Sequence, residues 1–322
     1  MQKFKVATCH WRRTTMTYHP VLGWWYVPNL KARIPMDGTF YMLRTNSLGI
    51  RADRDYPIEK PAGRKRIVVL GDSYTAADGV DNGQRYTDLL EKKYPHLDVM
   101  NFGCPNTGTD QQVMIYENLA QSFDADAIVM AMVVENIARN LQTCRPAGDP
   151  HEGVAYLPKP YYTLEDGELV VHNQPVPLEK RYEKNLGDWN CDFPYLKDYP
   201  QDSFAIYRFP ERQHWQIMAA IIKRMFQLAG ERTVFMMPLP IFTHFLNGMP
   251  TEHYMTRFQE LADDSLGHHL IDVMPHFMRL PLAERAKCRF THDPHYTSVA
   301  QQAVAAALEE TLAFHRPDLL EH

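Results

Sequence analysis

The ten residues 64–73, RKRIVVLGDS, constrain this chain more than any other stretch: a β-branched apolar run stops abruptly at Gly-Asp-Ser. A run apolar at every position reads as a strand buried on both faces, here feeding a loop. A short strand at 97–101 and a second wholly apolar run at 127–134 follow, with helix-like segments at 85–94 and 110–123 between them. This βαβαβ rhythm implies a parallel sheet covered by helices on both faces, an α/β class with right-handed crossovers. The basic triplet Arg64, Lys65 and Arg66 reads as a solvated strand entry.

The rhythm breaks over 145–202, a stretch dense in Pro and Tyr. Within it, Asp166-Gly167 between two short alternating runs signals a β-hairpin over 162–171. It resumes with helices near 211–228 and 252–263, strands at 233–237 and 269–273, and a final helix at 297–314. The expectation is one sheet of about five strands in a domain over 63–322, interrupted once by a lid or cap segment. Residues 1–62, with five prolines from Pro20 onward and the cluster Trp24, Trp25, Tyr26, read as an irregular extension wrapping that domain.

Charge excludes one class of function. The 322 residues carry 34 basic and 39 acidic side chains, a formal charge of −5, with no long run of one sign, which does not suit a nucleic-acid binder. The longest apolar run, 127–134, is far below the roughly 20 residues of a membrane-spanning helix. The first fifteen residues carry four basic side chains and no apolar stretch, so they do not read as a secretory signal, and the cytoplasm is the expected location. Five widely spaced cysteines, at 9, 104, 144, 191 and 288, argue against a disulfide framework or zinc knuckle and read as structural.

Four polar segments fall at the carboxyl ends of these strands or after the last, where open α/β sheets bind ligands. Ser73 leaves the first strand through Gly71 and Asp72. In THDPHYT, 291–297, Asp293 and His295 are two apart in what reads as extended backbone, so their side chains project to one side and the carboxylate can orient the imidazole towards Ser73. The competing reading makes Asp293 an Asx-turn residue capping the last helix. Gly103, in NFGCPNTG, can let backbone approach a substrate and present an N–H. Asn136, in VVENIARN, can donate a carboxamide hydrogen to an oxyanion.

With these four blocks the chain resembles the SGNH or GDSL hydrolases: Ser73 in GDSY, Gly103 in NFGCPNTG, Asn136 in VVENIARN, and His295 with Asp293 in DPHYTSVAQQ. The resemblance covers roughly 64–314. The segments HPVLGWWYVPN and NSLGIRADRDYP resemble the leader of a bacterial subgroup of that family. It implies a flavodoxin-like three-layer α/β/α fold and a serine esterase with no cofactor. Ser73 is then the nucleophile, His295 the base, and Asp293 or a backbone carbonyl its orienting acceptor. Ser73, Gly103 and Asn136 form the oxyanion hole. The implied substrate is an ester of a small acyl group such as acetyl on a sugar-like or other hydroxylated carrier. Acyl transfer through the same acyl-Ser73 is the alternative, and a silent binding module a further one.

Three departures stand out. Tyr74 replaces the family's Leu, Glu135-Asn136 replaces Gly-x-Asn-Asp, and Pro294 alone separates Asp293 from His295. The pairs His268-His269 and His292-x-x-His295 lack a suitably spaced third metal ligand. Aromatics of the insert, Tyr156, Tyr161, Tyr162, Tyr182, Trp189, Phe193, Tyr195 and Tyr199, either line an acyl or sugar pocket or pack the lid.

Overall fold

The structure is a computed structural model that describes residues 15–149, 153–182, 185, 187 and 205–321. Four short strands open it: β1 (Met16–His19) pairs antiparallel with β2 (Gly23–Tyr26), and β3 (Lys31–Met36) with β4 (Thr39–Arg44). The segment expected to be irregular is thus two hairpins. Its apolar residues, Trp24, Trp25, Ile34 and Tyr41 among them, belong to the same hydrophobic cluster as the central sheet.

That sheet is built from β5 (Lys65–Gly71), β6 (Leu97–Gly103) and β7 (Ala127–Val133). Next in the chain come three strands of an antiparallel sheet, β8 (Cys144–Asp149), β9 (Gly153–Pro158) and β12 (Arg181–Tyr182). A hairpin of β10 (Tyr161–Glu165) and β11 (Glu168–His172) lies between β9 and β12. The central sheet is completed by β13 (Thr233–Leu239) and β14 (His268–Leu270), giving the order β14-β13-β7-β5-β6 with every pairing parallel. This is the doubly wound order in which the chain leaves β5 towards one edge and β7 towards the other. The crevice between the carboxyl ends of those two strands is where such sheets bind ligands.

The apolar runs explain the sheet. All seven residues of β7 and of β13 are buried, as a strand covered on both faces requires. The helices Tyr86–Lys93 and Ser298–His315 pack against each other, and so do Thr109–Ile115 and Gln213–Ala229. Asp166 and Gly167, at φ +50° and +86°, form the expected turn.

Two further expectations fail. Arg66 is wholly buried rather than solvated: its backbone N–H donates to Asp126 Oδ2 at 2.7 Å, and its guanidinium meets Asp98 at 3.2 Å. A buried charge needs such a partner. Cys144, assigned no disulfide from its spacing, is disulfide-bonded to a partner outside the described residues, whereas Cys104 and Cys288 are buried free thiols. Cys9 and Cys191 lie outside the described residues. No helix among the described residues is long and apolar enough to cross a membrane.

Candidate active site

Ser73 begins the short helix Ser73–Ala76 directly after β5, where first-turn N–H groups have no intrahelical acceptor. Asp72 is its N-cap, accepting the N–H of Tyr74 at 2.9 Å. The close crossing at Gly71 requires glycine, since an added Cβ would lie 2.1 Å from Thr75 Oγ1.

The base arrives from the loop before the last helix. His295 Nε2 lies 2.8 Å from Ser73 Oγ, and Nδ1 lies 2.5 Å from Asp293 Oδ1. That same oxygen accepts the backbone N–H of His295 at 2.9 Å. The Asx turn and the orienting contact are therefore one geometry: the turn folds the carboxylate back over residue i+2 and delivers it to the imidazole. Asp293 does not cap the following helix, whose N-cap is Thr297.

Electrostatics agree with an acceptor arrangement. Burial disfavours the charged imidazole, but the Asp293 hydrogen bond and the carboxylates of Asp78, Asp293 and Asp72 outweigh it, holding His295 above its ordinary 6.5. Burial likewise opposes the Asp293 carboxylate, and the His295 contacts overcome it, placing its pKa below the ordinary value. Asp78 is driven up by burial, opposed by His295 and Arg51.

A cavity of about 380 Å³ opens over Ser73 and His295. Asn136 lines it, its carboxamide nitrogen donating to Asp72 and carrying a second hydrogen besides. Gly103 is not brought to this cavity. Its N–H donates to Asn101 Oδ1 at 2.9 Å, and an added Cβ would lie 2.3 Å from Ala76 N, so its small size serves packing behind the nucleophile turn. Asn106 lines the cavity instead, at φ +66°, with no acceptor for its backbone N–H among the described residues. Its side chain is held by Arg145 at 2.8 Å and by the Pro146 carbonyl at 2.9 Å.

Several lining residues, Asp78 and Arg139 among them, escaped the sequence reading. With Glu135 they form a polar wall; burial raises the Glu135 pKa against the pull of Arg139. Met16, Trp24, Ile34, Pro35, Met36 and Tyr41, all from the first two hairpins, form much of the apolar wall. From the insert come Pro146, Ala147 and Leu157 rather than its tyrosines. Tyr161 stacks on His172, and Trp189, Phe193, Tyr195 and Tyr199 lie outside the described residues.

Away from this site, Asp264 and His315 approach His269, the third ligand that spacing did not reveal. The two imidazoles stack 28° from parallel with centroids 3.8 Å apart, so their in-plane lone pairs do not converge. Asp264 instead meets His269 Nδ1 at 2.7 Å.

No family model matches the sequence, and no curated protein does. Among solved structures, the chain is similar in fold to lipases, acylhydrolases and esterases. One is a lipase/acylhydrolase from Enterococcus faecalis, 13% identical over 77% of this chain and 95% of that one, TM-score 0.42. Another is a member of the lipolytic protein G-D-S-L family from Veillonella parvula DSM 2008, 12% identical over 77% and 98%, TM-score 0.42. A third is an acetyl xylan esterase, 13% identical over 77% and 99%, TM-score 0.45. At such identities and scores the chemistry rests on the site itself.

Proposed function

We propose that this chain is a serine-dependent carboxylic ester hydrolase of the SGNH type. The observation that carries the reading is the continuous chain Asp293–His295–Ser73, with contacts of 2.5 and 2.8 Å, opening into a cavity.

In this reading Ser73 Oγ bonds to the ester carbonyl carbon as its proton passes to His295 Nε2. Asp293 accepts from Nδ1–H and stabilises the imidazolium. The oxyanion is received by the Ser73 N–H and the second amide hydrogen of Asn136, with the Asn106 N–H in the place first assigned to Gly103. Collapse breaks the ester C–O bond, and His295 returns the proton to the departing alcohol. Water, deprotonated by His295, then attacks the acyl-serine and frees Ser73.

A compact acyl group such as acetyl would lodge against the apolar wall of the first two hairpins. The cavity's polar wall of Asp78, Glu135 and Arg139 supports a hydroxylated, sugar-like leaving group. Residues 1–62 are read as an extension that helps to build the site, and 63–322 as the hydrolase domain with its cap at 145–202.

Hydrolysis of an aryl acetate by the full chain and by Ser73→Ala tests the reading. Turnover by the parent, with loss of turnover and a retained fold in the variant, is expected; equal turnover by both contradicts it. Product analysis with an added alcohol separates transfer to that acceptor from hydrolysis.

A further inference from the structure

Three segments distant in sequence meet beside the triad. At Gly79, φ +103°, an added Cβ would lie 2.4 Å from Phe290 Cε2 and 3.3 Å from Met36 Cγ. Gly79 follows the nucleophile turn, Phe290 leads into the base loop, and Met36 ends β3. The first pair of segments carries the reacting groups; the third is the tip of a hairpin.

That tip holds the base loop directly. Asp37 and Gly38, at φ +47° and +79°, turn β3 into β4 with Met36 opposite Thr39. The Asp37 carboxylate faces away from its own hairpin: Oδ2 accepts the N–H of Thr291 at 2.7 Å and Oδ1 that of His292 at 3.0 Å. Asp293 is the next residue. Hydrogen bonds from successive backbone N–H groups to one carboxylate are charge-assisted and fix both position and orientation of the peptide that donates them.

The nucleophile side is held by a second residue of the same N-terminal segment. Arg51 is wholly buried. Its Nη1 donates to the carbonyls of Ala76 and, at 2.8 Å, Ala77; Nη2 donates to the Val80 carbonyl, and Nε to Asn82 Oδ1 at 3.0 Å. These carbonyls close the turn that Ser73 opens. A planar fork of donors can meet them together, which a single ammonium cannot.

We propose that Asp37 is a positioning residue for catalysis. Through it the β3–β4 hairpin sets where His295 stands relative to Ser73, while Arg51 fixes the opposite side of that contact. The Ser73–His295 contact joins loops 222 residues apart, and displacing reacting groups by about 1 Å can cost about 100-fold in rate. The proposal rests on the serine-hydrolase reading.

The test is the rate of covalent labelling by a fluorophosphonate, which needs no knowledge of the natural ester. Asp37→Gly removes the carboxylate yet suits the positive φ. Asp37→Asn keeps one acceptor oxygen and creates the Asn-Gly pair such turns favour. Relative to the parent, Asp37→Gly should label at least about tenfold more slowly while reaching full stoichiometry, with Asp37→Asn between the two. Labelling of Asp37→Gly at the parental rate overturns the proposal alone. So does a fall in stoichiometry at an unchanged rate constant, which marks loss of folded protein. No labelling of the parent overturns the hydrolase reading and this proposal together.

Discussion

The hydroxyl of Tyr74 donates to the carbonyl oxygen of Pro294 at 3.1 Å, so the residue after the nucleophile is bonded to the residue before the base. The same ring lies 4.9 Å from the His295 imidazole and packs edge-on against Tyr296 at 4.7 Å. The position where this chain departs from the Leu of the family it resembles thus forms a direct tie between the two loops. Tyr74→Phe keeps the ring contacts and leaves the Pro294 carbonyl without this donor. A stability loss of about 1 kcal/mol is expected in denaturant titration, together with a several-fold fall in kcat.

Removing the base should be worse than removing its orienting partner. In serine-hydrolase triads the base contributes on the order of 10⁶ to kcat and the carboxylate roughly 10⁴. His295→Ala should therefore fall below Asp293→Asn in steady-state turnover of an aryl ester. The reverse order would contradict the roles given to the pair.

Activity needs neutral His295, so kcat/KM should fall as pH drops through a value above 6.5. The carboxylates of Asp293, Asp78 and Asp72 favour the imidazolium. Taking one away lowers the pKa and keeps the base neutral further into acid. Asp78→Asn should accordingly move the acid limb of the profile to lower pH, and an unmoved limb would exclude Asp78 from the electrostatics of the base.

The oxyanion role proposed for Asn136 separates it from Gly103. Asn136→Ala should lower kcat by about 10²-fold to 10³-fold, beyond what any stability loss from the Asp72 contact explains. Gly103→Ala should instead lower the melting temperature, because the new Cβ meets the Ala76 backbone. Thermal unfolding beside initial-rate kinetics distinguishes the two.

Asp110 and Lys159 form an ion pair with both side chains fully buried, tying the end of β9 to the helix Thr109–Ile115. Lys159→Met should cost about 3–5 kcal/mol in chemical denaturation by stranding the carboxylate. Pairing it with Asp110→Leu should recover most of that loss.

The sheet and the contacts joining Asp293, His295 and Ser73 were legible because both leave local marks. Continuous apolar runs mark buried parallel strands, and an acid and a base two residues apart around Pro294 mark an Asx-type geometry. Elsewhere the same kind of mark was masked. Asp37-Gly38 carries the hairpin signal that worked at Asp166-Gly167, but Pro35 two residues before it disguised the strand. The proline is tolerated in a two-stranded ribbon, where one edge of each strand needs no partner. Gly103 attracted an oxyanion role because glycine suggests close approach, and the approach is to Ala76 rather than to a ligand. Asn106 reaches the left-handed region without being glycine, as Asn does more readily than other residues. Arg51 and Asp78 act through contacts across 25 residues or more, which no local pattern encodes. The Cys144 disulfide is equally invisible to spacing.

The most direct test of the central claim is intact-mass analysis after treatment with a fluorophosphonate. A single adduct, mapped to the peptide containing Ser73 and absent from Ser73→Ala, is the result predicted here. An unmodified parent chain, or an adduct that persists in Ser73→Ala, would contradict the assignment of Ser73 as the nucleophile.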